Sequence, residues 1–399
     1  MIYKILSLDG GGTWCLIEVK ALIDMYGGGA TGHAVLSDFD LVVANSGGSI
    51  VLGGLLEDKS LGDILSYFMD DKLRSSIFQP TTIPIDAVLS GLLHFGPRYS
   101  AQKKLPALQR LLPNSGGKTV STVAAGIPAA GGGKNVHVLI TGFDYDRNVA
   151  SFFRSAPTGT GPAGLQWGQG AASDDITLAQ AIHASSNAPV EFFDAPAIAG
   201  VNRFWDGAIS GCNNPVLAGV AEAITLGVAP KDIRAMTIGS ATVRWAGPPV
   251  NDPPPLVAAR SAGGFINDLV KLAGSITDDP PDVASFLAHV MTGGSDGLAA
   301  AGQSRVVRFN PIIGPVRDGS GGWLAPGNWT EEQLTHLAGV DLAALDPVDL
   351  DYIADYAALW ISSNAPNQPL RMDADTLALK LGSALYRDAR AAWDSVLRQ

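Results

Sequence analysis

The chain has 399 residues, 46 % of them hydrophobic and 16 % charged, with a formal net charge of −11. That apolar content supports a large buried core and excludes a disordered chain, while the negative charge argues against nucleic acid, whose affinity comes mostly from Lys and Arg. Two cysteines, Cys15 and Cys212, cannot build a disulfide framework, and six scattered histidines show no paired ligand spacing, so no metal is expected.

The first apolar run, Tyr3 to Leu8, is interrupted by Asp9 before it reaches the length of a leader peptide and reads as a strand. No apolar stretch approaches the roughly 18 to 20 residues that span a bilayer, and a cytoplasmic protein is expected. Asp9-Gly10-Gly11-Gly12 follows the strand directly. Absent side chains let successive N–H groups there converge on an anion, as in an oxyanion hole or a phosphate cradle. A dinucleotide fingerprint would need glycine where Cys15 stands, which disfavours the second use.

A second strand, Phe39 to Ala44, leads into Asn45-Ser46-Gly47-Gly48-Ser49 and an apolar helical segment, Ile50 to Leu56. Strand, tight turn and helix are the context of a GxSxG elbow, in which a strained serine projects its hydroxyl above a sheet. Ala44 and Gly48 occupy the small positions two before and two after Ser46. The bland reading is a glycine-rich turn. Ile85 to Phe95 reads as a buried helix rather than an interfacial lid, and Asn114 to Thr119 as an ordinary loop, because Leu112 replaces the first glycine of a P-loop.

Val136 to Thr141 and Ala235 to Ile238 are further strands. Leu178 to Ala184 is a helix capped by Thr177, and Phe265, Leu269, Leu272 and Ala273 recur at helical spacing. The Gly/Pro-rich stretches 156–172, 247–255 and 317–327 read as loops, the first as a binding rim. Between them, Asp206-Gly207-Ala208 ends an apolar run, where an aspartate is by itself more often a turn former than a catalyst. Thr330 with Gln333 forms a capping box and Asp346-Pro347 starts another helix. Leu350, Ile353, Ala357 and Ile361, then Leu377, Leu381, Leu385 and Val396, keep helical period. An α/β body over 1–316 and a helical extension over 328–399 packed on it are expected.

Taken in order, the glycine loop, the Ser46 elbow and Asp206-Gly207-Ala208 resemble the three blocks of the patatin-like phospholipases. Phe95 to Tyr99 and Ala184 to Pro189 look like two connecting segments of that family, and Asn213-Asn214-Pro215 like the stretch after its aspartate. The resemblance spans roughly residues 2 to 311. It implies a three-layer α/β/α sandwich with a mostly parallel sheet, and a lipid acyl hydrolase of phospholipase A, lysophospholipase or esterase type. Ser46 would be the nucleophile, Asp206 the base in a Ser-Asp dyad, and Gly10, Gly11 and Gly12 the oxyanion loop, with Gly207 and Ala208 supporting Asp206.

By the same resemblance an acyl-enzyme forms without metal or organic cofactor, on a lipid or other fatty acyl ester, with transient contact at a membrane surface. Three positions depart from the family pattern. Trp14 and Cys15 stand where the oxyanion loop usually continues with a cation and a glycine, and Ala44 replaces the first elbow glycine. Trp14 is a candidate wall of the acyl pocket. Open alternatives are an acyltransferase using the same dyad, a weakened lipid-binding or interaction module, and an α/β-hydrolase triad of Ser46, Asp206 and His289 or His336.

Overall fold

Side chains of a strand alternate between the two faces of its sheet, and a parallel sheet covered on both sides is apolar on both. In β1 (Tyr3–Leu8) Leu6 and Leu8 enter one hydrophobic cluster and Ile5 the other. In β2 (Leu41–Ala44) Val42 and Ala44 face the first cluster, Leu41 and Val43 the second. The computed structural model describes residues 2–81, 97–132, 134–155, 169–170, 176–190, 192–261, 280–294 and 304–397.

The remaining strands of the main sheet are β3 (His137–Asp144), β4 (Val149–Arg154), β5 (Gln169–Gly170), β6 (Ala197–Ala199), β7 (Asn202–Asp206), β8 (Ile233–Ile238) and, after three short strands outside it, β12 (Val306–Phe309). Those three are β9 (Thr242–Val243), β10 (Ala246–Val250) and β11 (Val257–Ala259). The main order is β12-β8-β1-β2-β3-β4-β5, with β12, β8, β1, β2 and β3 parallel. β2 pairs with the first half of β3, Leu41 opposite His137 and Ala44 opposite Ile140. β7 runs antiparallel along the second half, Gly142 opposite Asp206. Since β4 lines the other edge of β3 from Leu139 to Asp144, β7 continues the row where β2 stops.

The helices are α1 (Leu16–Tyr26), α2 (Gly32–Leu36), α3 (Ser46–Leu56), α4 (Leu61–Met69), α5 (Asp71–Ile77), α6 (Ala101–Leu111), α7 (Val120–Ala124), α8 (Leu178–Ser185), α9 (Val216–Thr225), α10 (Pro280–His289), α11 (Glu331–Ala338), α12 (Pro347–Ile361) and α13 (Tyr386–Leu397). Buried residues of α1, α3 and α8 fill the first cluster, and those of α9 and α10 the second. These are the two outer layers of an α/β/α sandwich. The last helices share the first cluster: Trp393 stacks on Phe39, and the Tyr356 hydroxyl donates to the Ile312 carbonyl at 2.5 Å. The Tyr386 hydroxyl donates to Asp24 at 2.8 Å.

The caps expected at Thr177 and Thr330 form, each as a full capping box, and Asp346 caps α12. Three expectations are corrected. The stretch 247–255 is not all loop, because β10 lies at its start and pairs with β11. Within 317–327, Trp323 and Leu324 return on Arg317 and Val316 as a small antiparallel ribbon. Leu377 and Leu381 are not helical: Leu377 has φ 54° and Leu379–Leu381 is a strand paired with Arg371–Met372. The helices expected at 85–95 and 265–273, and 156–172 apart from β5, lie outside the described residues.

Candidate active site

Parallel β1 and β2 end side by side, Leu8 opposite Ala44, so the loops that leave them share one edge of the sheet, the edge where open α/β sheets bind ligands. From β1 the chain enters Asp9-Gly10-Gly11-Gly12. From β2 it enters Asn45 and turns at once into α3. Ser46 takes φ 48°, the left-handed region that a residue with a Cβ adopts at a cost of order 1–3 kcal/mol. A serine held so at the first position of a helix sits where backbone N–H groups and the helix dipole favour negative charge.

The crossing at this turn explains which small residues are needed. A Cβ on Gly48 would collide with the carbonyls of Leu8 and Asp9, and the Gly48 N–H donates to Asp9 O at 3.0 Å. Ala44, in contrast, buries its methyl within the first cluster. The strand side of the elbow has room for one carbon and the helix side has none.

Because β7 continues the row of β2, its last residue, Asp206, arrives beyond Asn45. Asp206 accepts hydrogen bonds from Asn45 Nδ2 at 3.1 Å and from the Ala208 N–H at 2.9 Å, and the Ser46 hydroxyl lies close enough to lower its carboxyl. Asn45 Oδ1 in turn accepts from the Thr141 hydroxyl of β3 at 2.6 Å. Gly207 is required beside this chain of bonds, since a Cβ there would meet Asn45 and Thr141. Burial raises the Asp206 carboxyl above its ordinary range, against the Ser46 hydroxyl, the Ala208 N–H, Asn45 and the nearby Lys104 charge, which lower it. Asn45, Thr141 and Lys104 were given no role by sequence alone.

The glycine loop is not uniform. Gly10 N–H donates to the Asn213 carbonyl at 2.8 Å, whereas the N–H groups of Gly11 and Gly12 make no bond among the described residues. Gly12 has φ 56°, and a Cβ on it would meet the Leu342 carbonyl. Beneath the loop, buried Asp9 pairs with buried Arg308 of β12 at 2.6 Å.

Residues 341–345 strap this loop from outside. Thr13 N–H donates to Leu342 O at 2.9 Å, Thr13 Oγ1 to Ala343 O at 2.5 Å, and the Trp14 indole to Asp341 O at 3.2 Å. Asp341 also pairs with Arg98 at 2.6 Å, and Arg74 donates to Leu345 O at 3.0 Å. Trp14, in place of a cation, is a buried anchor for this segment. Cys15 is buried, its thiol against the carbonyl of Asp9, and a Cβ on Gly47 would meet its sulfur at 2.5 Å.

A family model for patatin-like phospholipases matches residues 6–220. The chain belongs to this patatin-like family. All the blocks just described up to Asn214 fall inside the matched span, and the strap and α11 to α13 fall after it. No curated protein matches. Among solved structures, VipD from Legionella pneumophila aligns over 100 % of this chain and 75 % of its own at 10 % identity, with a TM-score of 0.31, too low to carry any argument.

The two histidines weighed for a triad are engaged elsewhere. His289 Nδ1 bonds Ser304 Oγ at 2.8 Å in the second layer, and exposed His336 bonds Asp349 of α12 at 2.9 Å. Neither belongs to the bond chain that joins Thr141, Asn45 and Asp206 beside Ser46. Among the described residues no group of His, Cys, Asp and Glu suits a metal ion, and no helix is long and apolar enough to cross a membrane.

Proposed function

We propose that this patatin-like protein is a lipid acyl hydrolase in which Ser46 is the nucleophile and Asp206 its base. The observation that carries the reading is that Ser46, held at φ 48° where α3 begins, has its hydroxyl close enough to buried Asp206 to lower that carboxyl. A carboxylate of ordinary pKa is a weak base for an alcohol, and the burial that raises Asp206 brings it closer to the task. Asp206 accepts the proton as Ser46 Oγ attacks the ester carbonyl. The developing oxyanion is met by the N–H groups of Gly11 and Gly12 and the positive end of α3. Asp206 returns the proton to the departing alcohol, then activates the water that releases the fatty acid from Ser46.

In this reading residues 1–316 form the hydrolase body, and 328–399 complete it by holding the oxyanion loop through the strap. The substrate class is a fatty acyl ester such as a phospholipid or lysophospholipid, met at a lipid surface. A fluorophosphonate probe tests the reading: wild type is labelled at Ser46, while Ser46→Ala is not, and Asp206→Asn loses ester hydrolysis while staying folded. Folded wild-type protein that takes no label, or an active Asp206→Asn, rejects it.

A further inference from the structure

α6 is amphipathic, and its buried stripe reads Ala101, Lys104, Ala107, Leu108 and Leu111. A lysine thus stands where the helical period calls for an apolar side chain, and Lys104 is 1 % exposed. A buried ammonium ion is costly unless it is paired and hydrogen-bonded. Lys104 Nζ donates to the Ser186 carbonyl and lies 4.1 Å from the centroid of the Phe193 ring. A neutral carbonyl and a ring do not neutralise its charge.

What surrounds Ser186 indicates the use of that charge. The preceding residue, Ser185, accepts the N–H of Ser46 on its hydroxyl at 3.0 Å, and the following one, Asn187, accepts the N–H of Asp206 on its carbonyl at 3.0 Å. Three consecutive residues at the end of α8 therefore hold Ser46, Lys104 and Asp206 in turn.

We propose that Lys104 is a positioning residue of the dyad: its buried charge keeps Asp206 ionised as the base and its bond to Ser186 fixes the Ser185–Asn187 segment on which both dyad members are set. The proposal rests on the Ser46–Asp206 reading. The electrostatics agree in sign, since Lys104 lowers the Asp206 carboxyl against the burial that raises it. Burial pushes the Lys104 ammonium down and the Asp206 charge opposes this.

Other groups around the pair do not take over this role. His183 of α8 is pushed down to about 3, first by burial and then by Lys104, and is neutral. Asp194 caps the start of α6 through the Ala101 N–H at 2.8 Å and also accepts from Thr81. From α5, which packs on α6, Arg74 is paired with Asp71 at 2.5 Å, and Asp71 and Lys72 are exposed. The buried Cys15 thiol is pushed up, first by burial and then by Glu18, Asp9 and Asp206, and is uncharged.

The test uses the full chain, a short-chain p-nitrophenyl ester and the rate of fluorophosphonate labelling, each followed against pH. In Lys104→Met the acid limb of kcat/KM and of labelling moves to higher pH by about 1 to 3 units, the effect of removing a close opposite charge, and Lys104→Arg restores it toward wild type. Should Lys104→Met not fold, the Lys104 ammonium is titrated by 15N NMR in wild type and in Asp206→Asn, where its pKa falls. An acid limb unmoved in folded Lys104→Met, or a Lys104 titration unchanged in Asp206→Asn, overturns the proposal. Wild type that takes no label at Ser46 overturns the dyad itself, a separate failure, because the NMR titration still reports the pairing.

Discussion

Asn45 Nδ2 donates to Asp206 Oδ1 at 3.1 Å, joining two residues 161 positions apart, and the same amide accepts the Thr141 hydroxyl through Oδ1 at 2.6 Å. Asn45 thus reads both strands that flank it: β3 through Thr141 and the end of β7 through Asp206. One amide next to the candidate nucleophile orients the candidate base, Asp206. Its two ends have different chemistry, so neither aspartate nor leucine can replace it.

Asn45→Ala removes the bond to the carboxylate. Hydrogen bonds to charged groups contribute about 1.5–3 kcal/mol, so a tenfold to roughly hundredfold fall in kcat is expected, with KM little changed. Steady-state kinetics on a soluble ester measure it. A rise in KM at constant kcat would show that Asn45 serves binding instead.

Glu18 of α1 is fully buried, and burial, with the Asp9 charge adding to it, pushes its carboxyl well above the usual range. A raised pKa in the fold means that folding favours the protonated form. That contribution is complete below the unfolded value of about 4.3 and is lost as pH rises through the folded pKa. Glu18→Gln cannot ionise, so its Tm relative to wild type should rise as pH climbs above about 4.3 and level off once the pH exceeds the raised folded pKa. A Tm difference that is flat across this range would show that Glu18 does not titrate there.

The strap on the glycine loop can be loosened by one atom. Thr13→Val keeps the shape of the side chain but removes the donor to Ala343 O, leaving a buried carbonyl without it. The expected loss of stability is about 1–3 kcal/mol, read from urea unfolding, together with a fall in kcat as Gly11 and Gly12 shift. Unchanged kcat in a destabilised variant would make the strap structural only.

Several features were legible in the chain because they are local. β1 and β2 show as short apolar runs, Thr177, Thr330 and Asp346 as caps, and the three sequence blocks as the hydrolase family, since turn chemistry and close crossings restrict residue choice within a few positions. Other errors had local causes too. Leu377, Leu381, Leu385 and Val396 mimic a helical period across a ribbon, because four leucine-like residues at loose spacing do not distinguish a helix from a strand plus a helix. The β10 strand carries two prolines and a glycine, which read as loop.

The sequence by itself showed a strand-turn-helix serine, a glycine loop and a later aspartate, each set by its own neighbours, and their order resembles the patatin-like family, which groups them. Only the tertiary structure decided how they meet. That β7 continues the row of β2 follows from pairing along β3, that Gly10 is bound while Gly11 and Gly12 make no bond among the described residues follows from Asn213, and that a lysine reaches Ser186, between the residues that hold Ser46 and Asp206, follows from how α6 packs on α8. These are contacts between residues tens to hundreds of positions apart, and no local rule of residue choice encodes them.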